Sequence, residues 1–475
     1  MAFSPSFMPR YSQRTAAVFL LSLALLSLFL WQSSTTLKHT APAPPTDGVS
    51  VAAGNVEIMA PTVYPDHKYA WINENQKTSH ALFRCIARGD CAQNQTKVVL
   101  IASHHFMYPL QGGYIGGEAI WALSTVGYFQ NYICVYSILF AQMRALHNMG
   151  YSVLYARSID TALHLYHIYA NLVQMVITNA ENLEECLGEA SCVRTAANPA
   201  GIPLWKLFAF HFWSQSNHPL GSKWTLSPEN YSKLTSTSYL GYSIEAQCSR
   251  YSFIPHSERK RQVYILAKFL KYFAPEERAW PPDFFDAAAN ATGMSFVMAA
   301  VDPPEDPKLK PGDLAASIEN IGRRDGELFT QDKFYQILSH SVALVGVGNP
   351  LISPTPYDAL CLGIPFVNPV HSWDTNNPTD RTRWATQHDA LKDLSAPYVY
   401  NVFLGDRDGF VNAIKSAAEN PIESYVLERM KIGSVEYRLG KILEHDWKIE
   451  AAKLLKAREA GQAPGEVGAL ACFLI

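Results

Sequence analysis

Residues 345–369 read VGVGNPLISPTPYDALCLGIPFVNP. This stretch continues an apolar strand, SVALVGVG, whose Gly346 and Gly348 let a ligand approach the backbone closely. A proline-stiffened turn, Pro350 to Pro356, leads into a short helix, Tyr357 to Leu362, stopped by Gly363. A second apolar strand, Ile364 to Val367, closes the unit at Asn368-Pro369. Strand, glycine turn and helix suit an anion or a nucleotide phosphate, because free N–H groups and the helix dipole both favour negative charge. Asp358, in the first helical turn, is placed to accept hydrogen bonds from ribose hydroxyls. An ordinary βαβ crossover has the same pattern, so the stretch alone leaves both readings open.

The flanking sequence repeats the alternation. KVVLIA, Lys97 to Ala102, opens a first half that continues with a strand at Tyr151 to Ala156. The run ALHLYHIYANLVQMV then reads as helical, and an aromatic strand follows at Leu207 to Trp213. A second half starts near Gln262, with strands near Ser295 to Ala300 and Val342 to Val347. Its helices fall near Thr330 to Ser339 and Gly409 to Glu419, and Tyr425 to Lys456 reads as one closing helix. This predicts an α/β chain of two facing Rossmann-like domains, 81–258 and 259–420, then a closing helix at 421–460 and a tail at 461–475. Ligands of such folds bind at the carboxyl ends of the strands, here between the halves.

Beyond the first strand, Gln111-Gly-Gly-Tyr-Ile-Gly-Gly-Glu118 places a carboxylate at a helix start, beside backbone open enough for a sugar. The dipole keeps such a carboxylate ionised, and an inverting transfer to a hydroxyl needs a base there. A helix-capping glutamate is the plain alternative.

Together these segments resemble the N-acetylglucosaminyltransferase V family, glycosyltransferase family 18, over roughly residues 97–447. That family reads G-x-G-x-P, P-x-P-x-[acid]-A, a glycine and F-x-N-P. The matching residues here are Gly346, Gly348, Pro350, Pro354, Pro356, Asp358, Ala359, Gly363, Phe366, Asn368 and Pro369. Asp358 stands where glutamate is usual, which keeps the charge and shortens the reach. The resemblance implies a GT-B architecture and inverting transfer of N-acetylglucosamine from UDP-GlcNAc to the 6-hydroxyl of a mannose on N-linked glycans. It implies Glu118 as catalytic base, although the family's base motif lacks the extra Gly116. On the donor side it implies Asn320 and Gly322 near the base, Gly348, Pro354, Thr355, Pro356, Asp358 and Asn368 around the turn, and Gln387-His388 beyond it. Arg381 or Arg383 would meet the diphosphate. Trp224 and Glu245 fall in acceptor-side segments, the tryptophan able to stack on a pyranose or to fill the core. A donor-contacting tryptophan of the family is replaced by His218-Pro-Leu-Gly, and the family's cysteine-rich C-terminal region has no counterpart.

Near-neutral charge, −3, gives nucleic acid no electrostatic footprint, and 48% hydrophobic residues suffice for one large or two medium cores. Residues 16–31, AAVFLLSLALLSLFLW, are uncharged and preceded by Arg10 and Arg14. They read as a short signal-anchor after a cytoplasmic tail at 1–15, with a cleavable signal peptide as the alternative. A Ser/Thr/Pro-rich stem at 32–80 and sequons at Asn94, Asn230 and Asn290 fit a Golgi membrane protein with a lumenal catalytic domain. Of eight cysteines, Cys85/Cys91 and Cys186/Cys192 read as disulfides and Cys361 as a buried free thiol. The terminal Cys-Phe-Leu-Ile matches a prenylation box by chance. Asp406-Arg-Asp408 mimics a metal-binding motif but precedes a helix as a cap does, so no metal or other cofactor is expected. Finally, Glu118 to Arg144 encloses 25 uncharged residues, and removing 126–142 (VGYFQNYICVYSILFAQ) leaves one amphipathic helix. The segment begins with a GT codon for Val, so it reads as a retained intron; a buried hairpin or a second membrane span are the alternatives.

Overall fold

The computed structural model describes residues 64, 66–107, 145–303, 306–322 and 330–463. Glu118, the 126–142 segment, the apolar run at 16–31 and most of the stem lie outside the described residues.

The first domain begins with helix α1, Ala70–Arg88, which starts within the last part of the predicted stem, 32–80, and runs on into the predicted domain. Asn75 fastens it to the sheet edge, its Nδ2 donating to Tyr155 O and its Oδ1 accepting from Tyr155 N, each at 2.7 Å. The six strands are β1 Val98–Ala102, β2 Ser152–Tyr155, β3 Val173–Asn179, β4 Leu207–Phe210, β5 Thr225–Ser227 and β6 Ser238–Tyr239. They pair in parallel in the order β2-β1-β3-β4-β5-β6. β1 is buried along its whole length, which is why VVLIA reads as an uninterrupted apolar run. The run read as one helix divides. Helix α2, Ile159–Tyr169, is capped by Ser158 and ends before Leu172, and β3 takes over at Val173. Val173, Val176 and Ile177 are β-branched residues in a sheet interior, where pairing on both sides outweighs helical periodicity. Helix α3, Ala180–Gly188, follows, with Asn179 as its cap.

The second domain contains β7 Gln262–Leu266, α4 Pro282–Thr292, β8 Ser295–Met298, β9 Ile318–Asn320, α5 Gln331–Ser339, β10 Ala343–Gly346 and α6 Thr355–Cys361. It continues with β11 Phe366–Ser372, β12 Ala385–Thr386, β13 Val399–Phe403 and α7 Arg407–Glu419. The sheet order is β12-β11-β10-β7-β8-β9, with β13 parallel to β11 and only β12 antiparallel. Asp406 accepts from Gly409 N at 2.8 Å, so the Asp-x-Asp resemblance is a helix cap.

The single closing helix predicted at Tyr425 to Lys456 is two helices, α8 Ile432–Glu444 and α9 Trp447–Glu459. Asp446 starts the second by accepting from Ile449 N at 2.9 Å. Both return to the first domain. Glu444 accepts from Lys97 at 2.7 Å and from Tyr151 at 2.6 Å, and Trp447 packs on Phe208 and Trp224. Disulfides join Cys85–Cys91 and Cys186–Cys192 as predicted. A third joins Cys248 to Cys361, so Cys361 is no free thiol. No spacing rule reveals that pair, because 113 positions separate its members. Among the described residues, no helix is long and apolar enough to cross a membrane.

Candidate functional site

Each sheet has one place where its strand order reverses. In the second sheet it lies between β7 and β10, and β10 runs straight into Gly348 and the proline turn. In the first sheet it lies between β1 and β3, and the chain leaving β1 is the one that continues to Glu118. The crevice outside such a reversal is where open α/β sheets take ligands. The proline turn therefore leaves its sheet at such a reversal, while Glu118 lies outside the described residues.

The turn itself is built differently from the sequence reading. Gly348 has φ of 105°, a conformation that favours glycine, and its N–H donates to Gln387 Oε1 at 2.9 Å. Gln387 Nε2 donates to Pro350 O at 3.1 Å, and its backbone O accepts from Ile352 N at 3.0 Å. A Cβ on Gly346 would collide with that same Gln387 amide. The space opened by Gly346 is thus filled by the protein, not left for a ligand. His388 continues the support from beneath: its N–H donates to Asn368 Oδ1 and its Nε2 meets Ser353 O, both at 3.0 Å. Burial holds His388 neutral, its pKa lowered to about 3. Gln387, His388 and Asn368, read as donor contacts, are all buried and hold the turn from the inside. What the turn exposes is Leu351, 41% exposed, with Ile352, Ser353 and Thr355 half-buried beside it. Ile352 has φ of 52°, an uncommon state for a β-branched residue.

Asp358 is the clearest departure. Only 2% exposed, it faces the interior near Tyr335, and burial raises its carboxyl to about 7, with Tyr335 pulling partly the other way. Its Oδ1 has no hydrogen-bond partner among the described residues. A carboxyl group buried in that direction does not present itself to a ribose. Pro354 and Pro356 are buried with it at the helix start.

Other predicted residues prove structural. Trp224 is 1% exposed, stacked on His218 at 5.9 Å and against Trp447, so it fills the core and no sugar reaches its face. Glu245 Oε2 accepts from Ile432 N at 2.6 Å and caps α8 from the first domain, at the edge of an open cavity of 470 Å³ shared with Lys431 and Tyr437. Asn320 spends its amide on Ala300 N, Ala300 O and Gly322 N at 2.9–3.1 Å, clamping the end of edge strand β9. A Cβ on Gly322 would meet Ala300 O. Arg381 donates to the carbonyls of Lys392, Asp393 and Leu394, and so does not reach a diphosphate; Arg383 is exposed. Asn230 and Asn290 are exposed, whereas Asn94 is half-buried and donates to Met149 O at 3.0 Å. Among the described residues, no three His, Cys, Asp or Glu side chains gather as a metal site requires.

Sequence reasoning missed Glu229. It follows β5 at the carboxyl edge of the first sheet, is 2% exposed, and accepts from the Tyr357 hydroxyl of α6 at 2.7 Å. Burial raises its carboxyl to about 7, against the opposing pull of Tyr357, Arg429 and Arg438. Its one sequence signal is position, Ser-Pro-Glu directly after an apolar strand, which turns share widely.

Two Rossmann-like domains meeting at their carboxyl edges, with C-terminal helices returning to the first, make a GT-B arrangement. Among curated proteins, a segment of 165 residues is 24% identical to alpha-1,6-mannosylglycoprotein 6-beta-N-acetylglucosaminyltransferase B of Mus musculus. The match covers 33% of this chain and 20% of the mouse protein, so the chain spans about a fifth of that relative's length. No protein-family model matches the chain. Among solved structures, an alpha-glucosyltransferase in complex with UDP-glucose and DNA is 11% identical, with a TM-score of 0.36 over 73% of this chain and 94% of that one. A heptosyltransferase of E. coli with ADP is 11% identical, with a TM-score of 0.31 over 68% and 99%. These superpositions are too loose to carry weight, and the fold rests on the strand order itself.

Proposed function

We propose that the chain is an inverting glycosyltransferase that moves N-acetylglucosamine from UDP-GlcNAc to the 6-hydroxyl of a mannose on N-linked glycans. The observation that supports the reading is topological: β1, which precedes the Glu118 segment in sequence, and β10, which runs into the proline turn, stand at the two order reversals. Glu118 is assigned as the base that takes the proton of the attacking hydroxyl. The outer side of the turn, exposed Leu351 with half-buried Ile352, Ser353 and Thr355, is assigned to the nucleotide-sugar, without metal. The donor sugar, the acceptor linkage and the Golgi lumenal setting, on a single-pass type II anchor at 16–31, rest on the resemblance and the sequence.

One observation favours a second reading. Asp358, Gln387, His388 and Asn368 all turn inward, so the expected donor side chains are not displayed. A glycan-binding relative without turnover, or a transferase for another nucleotide-sugar, fits that arrangement. Screening UDP-sugars with N-glycan acceptors, in EDTA and in manganese, separates the readings. Transfer from UDP-GlcNAc in EDTA, lost in Glu118→Gln with UDP binding kept, supports the proposal. Binding with no transfer from any donor supports the binding protein, and a strict manganese requirement removes the metal-free mechanism.

A further inference from the structure

Tyr357 lies in the first turn and a half of α6, directly behind the proline turn, and is fully buried. Three parts of the chain converge on it. Glu229, at the carboxyl edge of the first sheet, accepts from its hydroxyl at 2.7 Å. Arg429, on the segment returning to the first domain, donates to the same oxygen at 3.2 Å and to Ala390 O at 2.7 Å. His388 stands edge-on to the ring at 4.9 Å while its Nε2 holds Ser353 of the turn. Arg438 extends the chain of contacts, donating to Leu240 O in the first domain and to Arg429 O, each at 2.7 Å.

A buried carboxyl group is a costly way to join two domains. Apolar packing would hold them as well, and Glu229 Oε2 has no hydrogen-bond partner among the described residues. What a hydrogen bond adds is direction: at 2.7 Å it fixes one angle between the first sheet's edge and α6, where apolar contact tolerates sliding. We propose that Glu229 is a positioning residue for the donor site. Acting through Tyr357, it sets α6 and the turn before it in register with the first domain's half of the cleft. This rests on the nucleotide-sugar reading of that turn.

The test compares the wild type with Glu229→Gln, Glu229→Ala, Tyr357→Phe and the Glu229→Ala/Tyr357→Phe double variant. UDP affinity, KM for UDP-GlcNAc, kcat and Tm are read for each. Glu229→Gln keeps an oxygen for Tyr357 and holds UDP affinity within about 2-fold of wild type. Glu229→Ala and Tyr357→Phe each weaken UDP binding about 10-fold and raise KM more than they lower kcat, and the double variant is no worse than either single. Variants with lowered Tm and unchanged UDP affinity overturn the inference, as does an additive double variant. A wild type that binds no UDP overturns the nucleotide-sugar reading itself.

Discussion

Replacing Asp358 by Asn should remove a stability cost that grows with pH. The side chain is 2% exposed, and burial raises its carboxyl from 3.8 to about 7. An acid whose pKa is raised on folding holds its proton more tightly in the native state. Its contribution is therefore fully present below about pH 4 and is lost as pH climbs through about 7. A displacement of about three pH units corresponds to about 4 kcal/mol, of which about 2.5 kcal/mol is lost between pH 5 and pH 8. Asparagine is isosteric and cannot ionise, so any fixed cost of its amide is the same at both pH values. The buried neutral histidines, His218 and His388, both lowered to about 3, impose the opposite slope, losing stability as pH falls below 6.5. They are common to both proteins and cancel in the difference. The assay is thermal unfolding from pH 5 to pH 8. At about 2 °C per kcal/mol, the Tm of Asp358→Asn should gain about 5 °C on the wild type over that range. A difference that stays constant with pH would refute the burial of Asp358 with a raised carboxyl pKa and return it to the list of donor contacts.

Gln387→Glu removes the donor to Pro350 and places a charge under Gly348 N–H, so UDP affinity should fall about 10-fold or more in a titration. Cys361→Ala opens the link to Cys248 and should cost about 2–4 kcal/mol in thermal unfolding; the link itself is checked by a non-reducing peptide map joining the two residues. Trp224→Ala should cost about 3–5 kcal/mol of stability, read in a denaturation curve, with acceptor KM unchanged in any enzyme that still folds.

The fold was legible because its strands are short apolar runs bounded by glycine, proline or a capping side chain. KVVLIA, SVALVGVG and the Gly363 stop translate directly into β1, β10 and the end of α6. The helix–strand division at Leu172 was hidden, because ALHLYHIYANLVQMV is apolar enough for either state and only pairing with β1 and β4 decides it. Of the candidate site, the proline turn was legible as a place and its side-chain directions were not. Periodicity locates the glycine turn, but whether Gln387 or a ligand fills the space beside Gly346 depends on the turn after β12, far along the chain. Asp358 shows the same limit, since its sequence position matches a ribose contact while the packing of α6 turns it inward. Glu229 carries no local signal at all, because its partner lies 128 positions away.

The proposed nucleotide-sugar would bind at the turn after β10, with Glu118 serving the acceptor. Amide hydrogen exchange of the whole chain, with and without UDP, tests it directly. Exchange should slow in residues 346–356 and in the segment around Glu118. Unchanged exchange in both at saturating UDP, or protection confined to residues elsewhere, would contradict it.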